Sequence, residues 1–287
     1  LSISRLFPQA FEAMQVQRLA STYQAWMEGL RRMSPAGANA HVALLTPGPY
    51  NETYFEHAYL ARYLGISLVQ GSDLTVRDQR LYLNTLRGLQ PVHVLLKRVD
   101  DAWLDPLELR ADSTLGVPGL LQAVRAGHVL MANAPGSAFL ESPALLGFLP
   151  ALSEKLLGEA LQLPSLPTWW CGEAAAMQQA LPRLSQSVLK PTYAGSDIHA
   201  HFEPLRGSAL AQRERDEWAG RILREGGDHT LQSALPLAHL PTWQSGNPRQ
   251  RMATRPYILR VFALSNGPRS DRKSTRLNSS HANISYA

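Results

Sequence analysis

The feature that most constrains this chain is an alternation across residues 41–133, where short apolar runs and helical stretches take turns. "HVALLT" (41–46), "ISLVQ" (66–70), "VHVLLKRV" (92–99) and "HVLMAN" (128–133) are five to eight residues long and largely apolar. That pattern suits strands buried on both faces. Residues 52–64, stopped by Gly65, and "VPGLLQAVRAG" (117–127) read as helices between them. "LTVRDQRLYLNT" (74–85) reads as a hairpin turning at Asp78-Gln79. Strands alternating with helices specify an α/β layer around a largely parallel sheet. Ligands of such sheets bind beyond the carboxyl ends of the strands. Here those ends are Thr46-Pro47-Gly48, Lys97 to Asp101, and Asn133 to Ser137.

The flanks read differently. Phe7, Phe11, Met14, Leu19, Tyr23, Trp26 and Leu30 recur at helical spacing over residues 5–31, and "SPAGANA" (34–40) ends that pattern. Beyond residue 136, helices are expected at 142–157 and 173–184, with proline-punctuated "LPSLPTWWCGE" between them. "SALAQRERDEWAGRILREGG" (208–227) reads as a charged amphipathic helix stopped by Gly226-Gly227. "SVLK" (187–190), "HTLQSALPL" (229–237) and "RPYILRVFAL" (255–264) read as strands of an α+β domain with antiparallel pairing. The expected organisation is therefore a helical segment over 1–38, an α/β domain over 39–135, an α+β domain over 136–269, and a tail over 270–287.

A length of 287 residues accommodates two domains. No apolar run reaches the eighteen or so residues that a membrane span needs. The start, "LSISRLFPQAFEAM", lacks the basic and apolar regions of a signal peptide. Cys171 is the single cysteine, which excludes an intrachain disulfide and fits a reducing, cytoplasmic setting. The formal charge is +5, but Arg272, Lys273 and Arg276 against Asp271 put +2 of it in the serine-rich tail. That tail, "SDRKSTRLNSSHANISYA", resembles translated sequencing adapter and is expected to be non-native and disordered. The remaining +3 forms no basic stripe, so nucleic acid is not an expected partner.

Lysine usage points to chemistry. The chain has four lysines, Lys97, Lys155, Lys190 and Lys273, among 28 basic residues. A lysine kept at a strand end, as in "SVLKP", is either a solvated terminus or a compact cation placed for phosphate oxygens. "LLKRVDD" (95–101) gathers Lys97, Arg98, Asp100 and Asp101. In an extended strand Arg98 and Asp100 share a face. They could recognise a substrate carboxylate or amine, or form a local ion-pair cluster. "NAPGS" offers Gly136 and Ser137 as a weak anion nest. "HAHFE" aligns His199, His201 and Glu203 on one strand face, a pattern more common without metal than with it. Cys171 has no evident histidine partner and reads as a buried structural thiol. P-loop, G-x-G-x-x-G and G-x-S-x-G fingerprints are absent.

Several stretches together resemble one family. They are "LLTPGPYNETYFEHAYLARYLG", "LVQGSDLTVRDQRLYL", "LKRVDDAWLDPLELR", "GVPGLLQAVRAGHVLMANAPGSAFLESPALLGFLP", "LPTWWCGE" and "SVLKP", with "RPYILRVF" as a looser extension. The chain is similar to circularly permuted type 2 ATP-grasp proteins, distant relatives of glutathione and glutathionylspermidine synthetases. The resemblance implies a Rossmann-like pre-ATP-grasp domain followed by an α+β ATP-grasp domain. It implies ATP and Mg²⁺ as cofactors, and ligation of a small-molecule or peptide carboxylate to an amine through an acyl phosphate. By resemblance, Lys190 meets the nucleotide phosphates and Gln232 lies near the adenine pocket. Gly136 and Ser137 belong to the Gly-Ser loop. Arg98 is the substrate-side arginine, with Asp100 and Asp101 beside it.

The departures carry their own implications. Pro143 stands close to where relatives often carry a second lysine, the lid region "YAGSDIHAHF" has Gly195 alone, and Ser233 replaces an acid after Gln232. The family's acid-plus-asparagine metal ligands are expected upstream of Leu1, and the strand after "ILRVFAL" is replaced by the tail. The chain is therefore expected to be a fragment with an incomplete ATP-grasp domain, inactive alone. The alternative is a non-catalytic binding or scaffold protein with a degenerate nucleotide site.

Overall fold

The computed structural model describes residues 5–17, 19–193, 202–243, 252–262 and 264, and the backbone of 283–286. The chain divides into two compact units, Leu1–Gly136 with His239–Ala287, and Ser137–Ala238.

The first unit opens with α1 (Pro8–Ala13) and α2 (Ala20–Met33). The helix expected over 5–31 is thus two helices. Gln15 adopts φ 49°, a left-handed conformation that ends a helix of L-residues. Then come β1 (Val42–Leu45), α3 (Tyr54–Leu64), β2 (Ser67–Val69), β3 (Leu74–Arg77), β4 (Arg80–Thr85), β5 (Gly88–Val92), β6 (Val94–Lys97), α4 (Leu120–Arg125) and β7 (Leu130–Ala132). Four of these strands form a parallel sheet in the order β2-β1-β6-β7.

Alternation along β1 and β6 explains both buried faces. Ala43, Leu45 and Leu95 pack with Leu81, Leu104, Val117 and Leu120 on one side. Val42, Leu44, Val94 and Leu96 pack with Met27, Leu30 and Ala61 on the other. β3, β4 and β5 form a separate antiparallel meander. Its first turn is the expected one at Asp78 and Gln79, with φ 49° and 59°. The apolar run 92–99 is a different matter. It changes sheets at His93, because Val92 ends β5 while Val94 begins β6. Pro91 fits there because β5 is an outer strand of the meander and needs no full ladder of donors.

The second unit contains α5 (Leu145–Leu157), β8 (Thr168–Trp170), α6 (Ala174–Ala180), β9 (Ser187–Pro191), β10 (Leu205–Arg206), α7 (Gln212–Arg224) and β11 (His229–Ser233). Its sheet runs β10-β9-β11-β8, with every pairing antiparallel. The helix expected to reach residue 184 tightens to a 3-10 turn over Leu181–Gln186, where Pro182 supplies no N–H. β8 is a strand that its flanking prolines hide in the sequence. One face of the sheet carries Cys171, Leu189 and Leu231 into a core with Ala180, Leu184 and Ile222.

The chain then returns to the first unit with β12 (His239–Trp243), β13 (Met252–Arg260) and β14 (Asn283–Tyr286), which pair antiparallel in sequence order. The whole is a mixed α/β architecture, parallel in its first sheet and antiparallel in the others.

Candidate functional site

In the parallel sheet the chain steps from β1 to β2 on one side, then returns to β6 on the other side of β1. The carboxyl ends of β1 and β6 therefore flank a topological switch point, the favoured ligand position in such sheets. Thr46 to Gly48 lie at one end and Arg98 to Asp101 at the other.

A hydrogen-bond chain builds the β1 side. The Gly48 N–H donates to Thr46 Oγ1 at 3.3 Å, and Thr46 Oγ1 lies 3.0 Å from His57 Nδ1. His57 Nε2 lies 3.1 Å from Thr53 Oγ1, whose hydroxyl donates to Asn51 Oδ1 at 2.7 Å. With that hydroxyl proton committed, Thr53 Oγ1 accepts from His57 Nε2–H, and His57 Nδ1 accepts from Thr46. The network therefore holds a neutral imidazole. Burial pushes the His57 pKa down, and the Arg98 charge adds to that effect. Gly48 has φ 109°, and a Cβ there would lie 2.7 Å from Gln70 Oε1, so this turn requires glycine.

On the β6 side, the Arg98 N–H donates to Leu45 O at 2.8 Å and ties the arginine to the end of β1. Its side chain is exposed and lines a cavity of about 510 Å³ together with Tyr23, Thr53, Glu56 and His57. Arg98 and Asp100 do not share an extended strand as the sequence suggests. β6 ends at Lys97, and Asp100 caps a 3-10 turn over Asp101–Trp103. Lys97 Nζ instead pairs with Asp101 Oδ1 at 2.5 Å. Asp101 Oδ2 accepts the Gly136 N–H at 3.0 Å, so this carboxylate uses the donor that "NAPGS" offers an anion. Ser137 opens a 3-10 turn over Ser137–Glu141 in the second unit.

In the second unit the face opposite the core is polar. Lys190 stands opposite Thr230, and Gln232 stands opposite Thr168 on β8. Lys190 Nζ donates to Gln232 Oε1 at 2.8 Å, and Gln232 Nε2 donates to Thr168 Oγ1 at 3.2 Å. Thr192 and Thr230, both buried, share a hydroxyl hydrogen bond of 2.8 Å. Burial pushes the Lys190 pKa down. No carboxylate pairs with this lysine among the described residues.

Cys171 is buried, and its thiol is pushed up to about 11 by burial, which leaves it a core thiol with little thiolate at neutral pH. His199 and His201 lie outside the described residues; among the described residues no group of three or more metal-ligating side chains occurs. Sequence reasoning placed Thr46 at a ligand-binding strand end but missed Thr53, Glu56 and His57. The signal for them was the turn-rich "TPGPYNET" loop at a strand end, a position where function concentrates.

This mixed α/β architecture, a Rossmann-like parallel sheet followed by antiparallel sheets, is that of an ATP-grasp protein. The chain belongs to the circularly permuted ATP-grasp type 2 family, whose profile matches residues 1–276. It is 34% identical over 255 residues to the Synechocystis protein sll0335, covering 88% of this chain and 52% of that protein. It is 34% identical over 271 residues to Mycobacterium tuberculosis Rv2411c, covering 93% of this chain and 47% of that protein. With M. tuberculosis Rv2567 the identity is 44% over 181 residues, covering 63% of this chain and 20% of that protein. The chain thus spans about half the length of the first two relatives. Vibrio cholerae D-alanyl-alanine synthetase A aligns with 85% of this chain and 73% of its own at 11% identity and a TM-score of 0.36, too low to carry an argument.

Proposed function

We propose that this chain forms part of an ATP-dependent ligase that joins a small-molecule or peptide carboxylate to an amine, as glutathionylspermidine synthetases do. ATP would activate the carboxylate as an acyl phosphate with release of ADP, and the amine would then displace inorganic phosphate from the acyl carbon to form the amide. The observation that carries the reading is Lys190. It is a half-buried cation, bonded to a neutral amide, on the polar face of an antiparallel ATP-grasp sheet.

Lys190 would hold nucleotide phosphate, and its neighbour Gln232 would fix the ammonium and border the base. A desolvated, preoriented cation acts on phosphate charge far more strongly than a solvated one. Arg98 would bind the substrate carboxylate, with Asp100 beside it. Asp101 would act as a positioning residue, holding Lys97 and the Gly136 backbone. Ser137 would supply the Gly-Ser loop's expected phosphate contact. Among the described residues no group of three or more His, Cys, Asp or Glu side chains is gathered to hold Mg²⁺.

Two observations favour a second reading, a scaffold with a degenerate nucleotide site. Gln232 already accepts from the Lys190 ammonium, and Asp101 already accepts the Gly136 N–H. Turnover separates the readings. The complete protein, given ATP, Mg²⁺ and pools of amino acids and dipeptides, is expected to release ADP only when carboxylate and amine are both present. Lys190→Ala is expected to abolish that release. No ADP release from any pool would leave the scaffold.

A further inference from the structure

The cavity at the switch point carries opposite charges that no other described residue pairs with. Arg98 reaches it from the end of β6, and Glu56 reaches it from the first turn of α3. Among the described residues neither forms an ion pair, with the other or with any third group. Tyr23 and Tyr59 add ring surface, and Phe55 and Leu60 add apolar wall. A volume of about 510 Å³ lies within the range typical of small-ligand sites. The neutral His57 network fixes the helix start that presents Glu56.

We propose that this cavity binds the zwitterionic backbone of a free amino acid or short peptide, the carboxylate on Arg98 and the ammonium at Glu56. The fit is chemical. A guanidinium offers a planar fork to a carboxylate. An ammonium gains from both a carboxylate and nearby tyrosine rings. A ligand with a single charge would leave either Arg98 or Glu56 unanswered, whereas a zwitterion answers both. Phe55 and Leu60 favour an apolar side chain. The assignment rests on the ligase reading for its catalytic meaning, yet the binding requires no nucleotide.

Calorimetric titration of the chain with L-leucyl-L-leucine, its N-acetyl form and its C-terminal amide tests this. The free dipeptide is expected to bind at least ten-fold more tightly than either capped form. Glu56→Gln is expected to erase the preference over the N-acetyl form alone, and Arg98→Ala the preference over the amide alone. Both side chains are at the surface, and circular dichroism is expected to show both variants folded. Equal binding of all three ligands, no saturable binding up to about 10 mM, or preferences unmoved in both variants would overturn the proposal. ATP binding by the complete protein, wild type against Lys190→Ala, distinguishes that failure from failure of the ligase reading itself.

Discussion

Lys190 and Gln232, on neighbouring antiparallel strands, meet across one face of the second unit, the lysine ammonium donating to the glutamine carbonyl at 2.8 Å. The partner is neutral, so the contact orients the cation without cancelling its charge. Gln232→Glu would cancel it and set a carboxylate beside incoming phosphate. That variant is expected to keep its fold and to weaken ATP binding by the complete protein ten-fold or more, while Gln232→Leu loses less. Calorimetric affinities equal to wild type in Gln232→Glu would contradict a phosphate role for this pair.

Asp105 is fully buried and accepts three backbone N–H bonds, from Leu107, Gly119 and Leu121, each at 3.0 Å. It ties the loop after β6 to the start of α4. Asp105→Ala strands three donors, and each buried unsatisfied group costs about 1–3 kcal/mol. A loss of roughly 3 kcal/mol is expected in urea unfolding, before relaxation or water entry reduces it. A loss near zero would show that the loop re-satisfies itself.

His57 and His93 both have pKa values lowered by burial, His57 further by Arg98 against the opposing pull of Glu56, and His93 further by His41 and Arg80. The unfolded chain therefore takes up protons at these sites near pH 6.5 while the folded chain resists. Stability is full above that pH and falls as pH drops below it toward the folded values. His57→Gln is expected to flatten part of the slope, with His93 contributing in the same direction. Urea midpoints measured from pH 7.5 to 5 test this. An unchanged slope would mean that His57 is not held neutral.

Much of the fold was legible because its signals are local. The apolar runs at 41–46 and 66–70 and the turn at Asp78-Gln79 declare their elements through periodicity and turn chemistry. The change of sheet at His93 was not legible, since Val92 and Val94 are equally apolar and only tertiary pairing divides them. β8 was hidden by the prolines that precede it. Among the candidate residues, Arg98 in the first unit and Lys190 and Gln232 in the second stood out as strand-end charges or through family resemblance. Their partners did not. The Lys190–Gln232 contact spans 42 residues and the Asp101–Gly136 contact 35, distances over which sequence alone gives no register.

Glycine replacement distinguishes close packing from open surface. A Cβ on Gly71 would sit 2.4 Å from the carbonyl oxygens of Leu115 and Gly116, and backbone cannot easily yield. Gly71→Ala is expected to cost about 1–3 kcal/mol by overpacking. Gly220, within α7, meets only the Arg224 guanidinium at 3.4 Å, so Gly220→Ala is expected to stabilise by about 0.5–1 kcal/mol through helix propensity. Thermal melts that rank the two in the opposite order would contradict the packing described for Gly71.

The most direct measurement is ATP affinity of the complete protein with Lys190 intact and as Lys190→Met, with urea stability followed in parallel. Removing a half-buried cation relieves its desolvation but leaves Gln232 short of a donor, so stability is expected to move by no more than about 1 kcal/mol. ATP binding is expected to fall at least ten-fold in the variant. Equal ATP affinity in two equally stable proteins would contradict the assignment of Lys190 to nucleotide phosphate, and with it the ligase reading.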